Sequence, residues 1–170
     1  SKLARGCVME FRAVGSSGRL ATYASISLLP NGEPPFVDEE ELELPSVQFS
    51  SVINLPSSDF QKIIRDLSNI SERLEIKSVG NELIFKCQGP FANCELSRTE
   101  MDGVTEFIQK QNESTVIQGE FSLKNLGYFI KCTNLCNSIE MYLENDLPLI
   151  VKYSVASLGD IKLCLAPLPP

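Results

Sequence analysis

Leu55-Pro56-Ser57-Ser58-Asp59-Phe60-Gln61-Lys62-Ile63-Ile64-Arg65-Asp66-Leu67-Ser68-Asn69-Ile70 breaks the rhythm of everything around it. Phe60, Ile63, Ile64 and Leu67 fall at i, i+3, i+4 and i+7, which makes one apolar stripe on a helix. Ser57 and Asp59, just after Pro56, offer side chains to cap its first turn. At about 100° per residue, Lys62 and Arg65 lie opposite the stripe and about 60° apart. A second segment, 122–135, repeats the design with Leu123, Leu126, Phe129 and Ile130 on one arc and Ser122 or Glu120 near its start, although Gly127 weakens it. Its Lys124 and Lys131 are seven apart and so line up within about 20°, again away from the apolar arc. Taken alone, either cation pair also fits an ordinary solvated helix face.

Outside these helices the sequence alternates with a period of two and is rich in Val, Ile, Phe and Thr. Candidate strands are 8–11, 20–28, 48–55, 73–79, 82–87, 92–99, 114–119, 138–143, 149–155 and 160–165, several separated by turns such as Val79-Gly80-Asn81-Glu82. Val52-Ile53 precedes the first helix and Val116-Ile117 the second, 64 positions later, and alternating strands follow each. This predicts an α+β fold built on an internal repeat of strand, helix and strands, with both apolar stripes on the sheets and both polar faces on one surface. Between Pro30 and Pro45 the composition shifts to Pro, Gly and the run Asp38-Glu39-Glu40-Glu41, a solvated linker. Residues 1–29 hold two strands and are too few to own a core. The expected organisation is therefore 1–29 as the last strands of another domain, 30–45 as linker and 46–170 as a complete domain.

With 22 Asp and Glu against 15 Lys and Arg, the net charge of −7 repels nucleic acid overall, so any contact with it must be local. The chain has no His, which removes the commonest general base and the commonest metal ligand. Six scattered cysteines, Cys7, Cys87, Cys94, Cys132, Cys136 and Cys164, lack the paired spacing of a disulfide frame, and Cys132-x-x-x-Cys136 lacks further zinc ligands. No glycine-rich phosphate loop occurs, and the longest apolar runs are too short for a membrane helix. An enzyme, a cofactor and a metal are not expected, and the reading is of a soluble intracellular protein.

The stretch 55–70 resembles the first helix in the C-terminal domain of the proliferating cell nuclear antigen family, in its Phe, its Ile, its two cations and its Arg-Asp-Leu-Ser. Leu147-Pro148-Leu149-Ile150-Val151-Lys152-Tyr153 and Gly159-Asp160-Ile161-Lys162-Leu163-Cys164-Leu165-Ala166-Pro167 are similar to that family too, in the same order. The resemblance implies a DNA clamp, a non-catalytic ring of three subunits with sheets on the outside and two helices per domain facing a central channel. It implies that Lys62, Arg65, Lys124 and Lys131 face duplex DNA without reading its sequence. It further implies a homotrimer when full length, a nuclear location, and roles in replication and repair with a polymerase, clamp loader, ligase and nuclease as partners. These bind through short peptide motifs in a pocket of Leu42, Leu44, Pro45, Phe49, Pro148, Leu165, Ala166 and Pro167. Read by alternation alone, Leu42 and Leu44 are simply the start of a strand packed on its own domain. Departures from the family are a longer linker with Pro34-Pro35-Phe36, Cys164 where an aromatic is usual, and Gly80 where a regulatory lysine stands. Alternative readings are one subunit of a heterotrimeric checkpoint-type clamp, or a peptide-binding adaptor, which would not need the four cations.

Overall fold

The computed structural model describes residues 48–110, 112, 114–156 and 159–169 in full, and the backbone of strands Cys7–Val14 and Leu20–Leu28. In chain order the elements are β1 (Cys7–Val14), β2 (Leu20–Leu28), β3 (Ser51–Pro56), α1 (Ser57–Ser68), β4 (Arg73–Val79), β5 (Glu82–Gln88), β6 (Asn93–Thr99), a 3-10 turn (Glu100–Asp102), β7 (Glu106–Gln109), β8 (Val116–Ser122), α2 (Leu123–Phe129) running directly into a 3-10 segment (Ile130–Leu135), β9 (Ser138–Leu143), β10 (Leu149–Val155) and β11 (Gly159–Leu165).

Two antiparallel sheets result, one in the order β2-β1-β11-β10-β9-β3-β7 and one in the order β6-β5-β4-β8. The inferred repeat is present, and it is interlocked. The strand before α1, β3, pairs with β9, which follows α2, while the strand before α2, β8, pairs with β4, which follows α1. Each repeat thus contributes its first strand to the three-stranded meander of the other. Ser51 and Ser78 join the two sheets through a buried hydroxyl pair 2.7 Å apart.

Both helical stripes lie in one core. Phe60, Ile64, Leu67, Leu126 and Phe129 are wholly buried among Leu55, Leu74, Phe85, Phe121, Met141, Val151 and Tyr153. Gly119 on β8 leaves room for the Phe121 ring to fold back along the strand, because a Cβ there would sit 2.6 Å from it. Along β4 and β5 the burial alternates, as expected of strands with one face on the core.

The structure differs from the sequence reading at the start of α1, at the end of the second helix and at β7. Ser57 and Asp59 do not cap α1: its N-cap is Pro56, with no side-chain cap, and both side chains have distant partners instead. Ser57 Oγ donates to the carbonyls of Thr133 (3.2 Å) and Cys136 (2.6 Å), and Asp59 accepts both arms of Arg98 on β6 (2.6 and 3.0 Å). Ser122 does cap α2, accepting from Asn125 N at 3.4 Å. The second helix is α-helical only to Phe129 and then tightens, and β7, with Phe107 its one buried residue, went unread.

Candidate nucleic-acid and peptide surfaces

The exposed face of the helix pair is organised by hydrogen bonds that cross between the two helices. Ser57, at the start of α1, meets the far end of the 3-10 segment, and Gln61, one turn later, donates from Nε2 to Ile130 O at 3.3 Å. The two helices therefore run antiparallel. Tyr153, buried beneath them on β10, donates its hydroxyl to Phe129 O at 3.0 Å, and burial pushes that phenol's pKa up. The carbonyls of Phe129, Ile130 and Thr133 can accept these donors because the tightening helix leaves them outside a regular α-helical ladder.

Lys62, Arg65, Lys124 and Lys131 are all exposed on this face. The antiparallel register sets Lys62 toward the Lys131 end of the pair and Arg65 toward the Lys124 end. Among the described residues, none of the four takes part in an ion pair. Lys131 stands over the Tyr128 ring with its ammonium 5.2 Å from the centroid. Asp59, the acid nearest Lys62 in the first turn, is neutralised by Arg98, whereas Asp66 stays exposed and lowers the local surplus by one charge.

On the opposite side, the seven-stranded sheet turns alternate residues away from the helices. The register aligns Val52, Tyr142, Ile150 and Cys164 in one row across β3, β9, β10 and β11. Val52 and Ile150 are nearly as buried as the core positions beside them, which gives three consecutive buried residues at the start of both β3 and β10. Phe49 packs edge-on against Tyr142 with centroids 5.6 Å apart, and Ser50 N donates to Glu144 at 2.8 Å. The next row is polar: Lys152 lies 3.5 Å from Glu140 and 3.8 Å from Asp160, and the Tyr142 hydroxyl bonds to Glu140. Beyond β11 the chain reaches the other sheet, where Leu168 N donates to Glu120 O at 2.7 Å. There Pro167 and Leu168 edge a cleft of about 830 Å³, shared with Arg73, Glu75 and Gln118.

Of the pocket residues expected from sequence, Leu42, Leu44 and Pro45 lie outside the described residues. Phe49 is half-buried at the end of the apolar row, Pro148 immediately precedes β10, and Ala166 and Pro167 are half-buried where the chain leaves β11. Leu165 belongs elsewhere: it is 2% exposed in the core, and Cys164 holds the outward position. Val52, Tyr142 and Ile150 were not read as surface residues. The one available signal was the unbroken apolar run Leu149-Ile150-Val151, which marks a strand end covered on both faces.

The family model for the proliferating cell nuclear antigen, C-terminal domain, matches residues 43–168. A probable DNA polymerase sliding clamp of Acanthamoeba polyphaga mimivirus is 39% identical over 128 residues, covering 75% of this chain and 27% of that protein. Probable DNA polymerase sliding clamp 1 of Paramecium bursaria Chlorella virus 1 is 33% identical, covering 78% and 51% respectively. The proliferating cell nuclear antigen of Chaetomium thermophilum is 32% identical, covering 77% and 51%. The chain thus spans about half the length, or less, of these relatives. The crystal structure of the Entamoeba histolytica proliferating cellular nuclear antigen superposes with a TM-score of 0.66 at 20% identity, over 88% of this chain and 58% of that one, a likeness of fold.

Proposed function

The chain belongs to the proliferating cell nuclear antigen family, and on that premise we propose that it is part of a sliding clamp that encircles duplex DNA and tethers replication and repair proteins. The observation that carries this reading is the separation of two surfaces. Four cations with no ion pair among the described residues stand on one antiparallel helix pair, and an apolar row lies on the far side of the sheet beneath it. Lys62, Arg65, Lys124 and Lys131 meet phosphates, whose spacing is independent of sequence, so the contact holds the duplex without fixing a register. No chemistry is asked of the protein.

The far side takes a short peptide. Tyr142, Ile150, Cys164, Phe49 and Pro148, together with Ala166 and Pro167, offer an apolar seat for an aliphatic and two aromatic side chains. Leu28 and Ser51 lie on the same margin of the sheet, through Leu28–Cys7–Leu165–Leu149 and Ser51–Leu143. Subunits join through strand edges, β2 of one and β6 of the next, to close a ring of three in the nucleus or wherever replication of the cognate genome occurs.

The test separates the surfaces. In the assembled clamp, reversing Lys62, Arg65, Lys124 and Lys131 to Glu is expected to abolish stimulation of a DNA polymerase, while micromolar binding of a Gln-aliphatic-aromatic-aromatic peptide, measured by calorimetry, stays unchanged. Tyr142→Ala with Pro167→Ser should do the reverse, weakening the peptide about tenfold or more. A four-fold-reversed clamp that still loads and confers processivity defeats the DNA-facing assignment.

A further inference from the structure

Cys87 and Cys94 are direct cross-strand partners on β5 and β6. Both turn toward the core: Cys87 is 2% exposed beside Leu83 and Phe85, and Cys94 packs against the core from its margin with Leu96. Both are free thiols. Opposite residues of an antiparallel pair have Cα atoms about 4.5–5.5 Å apart, inside the range of about 4.4–6.8 Å that a disulfide spans. Their Cβ atoms, at about 4.5–5.5 Å, stand at or slightly beyond the disulfide's usual limit, so closing the bond draws the strands together and leaves it easily reduced.

The surroundings favour a reaction here. β6 is the end strand of its sheet, and the turn that joins it to β5 is tight, with Gly89 N donating to Ala92 O at 2.8 Å. Phe91 at the tip is 99% exposed, so solutes reach this end of the strand. The other end of β6 is already held by the two-armed Arg98–Asp59 pair. The remaining thiols are placed differently. Cys132 lies in the 3-10 segment and Cys136 just beyond it in extended backbone, where its Sγ donates to Ser138 O at 2.9 Å.

We propose that Cys87 and Cys94 form a reversible redox-modification site, closing to an intrachain disulfide that locks the free end of β6. A low-molecular-weight disulfide, such as oxidised glutathione, is the oxidant. The more accessible Cys94 thiolate attacks one of its sulfurs, forming a mixed disulfide and expelling one glutathione thiolate. Cys87 then gives up its proton and attacks Cys94 Sγ, expelling the second. Two electrons pass from the cysteine pair to the oxidant, and two glutathione thiols leave. Burial and the nearby Cys94 hold the Cys87 thiol's pKa up, which makes it the resolving partner rather than the first to react.

Peptide mass analysis of the full chain, equilibrated in glutathione redox buffer and then alkylated, tests this. Trypsin cuts after Lys86 and Arg98 and nowhere between, so both thiols lie in one peptide. Oxidation is expected to yield that peptide unalkylated and lighter by two hydrogens. Dithiothreitol should restore it, and amide exchange along β6 should slow severalfold in the oxidised form. Cys87→Ser should stop at a glutathione adduct on Cys94, and Cys94→Ser should stay unmodified in this peptide. A stable adduct on wild-type Cys94, alkylation of both thiols, or a bond formed between Cys132 and Cys136 instead overturns the proposal, and the wild-type mapping decides this even if a variant fails to fold.

Discussion

The two helices occupy equivalent places in the repeat and are built differently. α1 keeps twelve residues of regular helix, takes no side-chain cap, and sends hydrogen-bond donors outward from Ser57 and Gln61. α2 is capped by Ser122, lasts seven residues and then tightens into a 3-10 segment; carbonyls from Phe129, its last residue, to Cys136, just past the segment, receive those donors and the Tyr153 hydroxyl. Donors lie on one helix and acceptors on the other. Internal symmetry therefore fixes where each helix sits on the sheets, and the departure from symmetry is what clamps one to the other. The cationic face inherits both properties, since its two halves are placed by the repeat and aligned by the asymmetric bonds.

The largest test of the comparison is in the core. Phe60→Ala and Phe129→Ala each remove one wholly buried ring, one from each helix, and each is expected to cost about 3–5 kcal/mol. Because β3 pairs with β9 and β8 with β4, the loss should lower one shared transition. Denaturation followed by circular dichroism and by exchange at β4 and β10 should give coincident midpoints in both variants. Separate midpoints would mean that the repeats are independent units.

A smaller effect separates the two designs. Ser57→Ala leaves the Thr133 and Cys136 carbonyls without this donor and should cost about 1–3 kcal/mol in urea titration, more than an ordinary cap. If Ser57 acted only as a helix-start residue, the loss would be no larger than that of Ser122→Ala, about 0.5–2 kcal/mol. The smallest effect has the opposite sign. Gly127 on α2 has open space where a Cβ would go, so Gly127→Ala should stabilise by about 0.5–1 kcal/mol. Destabilisation there would show that the short helix needs its flexible centre to make the switch at Phe129.

What could be read from the sequence follows the same division. The apolar stripes and opposed cations of both helices were legible because they depend on a local period, and so was the repeat, although the helix starts at Ser57 and Leu123 set its offset two residues beyond the one read from Val52-Ile53 and Val116-Ile117. Partners that lie far along the chain were not legible. Ser57 looks like a cap until Thr133 and Cys136 are brought beside it. Leu165 was expected in the pocket beside Cys164 and lies instead in the core, because neighbouring strand residues face opposite sides and alternation alone cannot tell which face is covered. β7 has four residues and one buried side chain, too little pattern to stand out. The outward row Val52, Tyr142, Ile150 and Cys164 is assembled from four strands, and no single strand announces it.

The exchange of first strands also sets the order in which the molecule can be made. As the chain leaves the ribosome, β3, α1 and the β4–β7 segment emerge while both β9 and β8 are still unsynthesised, so Ser51 must wait for Leu143 and Arg73 for Ser122. Bringing together strands so far apart carries a loop-closure cost before any contact repays it, and chains dominated by such pairings fold slowly. The short pairing of β3 with β7 then acquires a use during synthesis, because it covers one edge of β3 with a strand from the same repeat while the other edge stays open. Emergence of β11, rather than completion of the first repeat, is the step at which both sheets can close, and chaperone binding to nascent chains should end there.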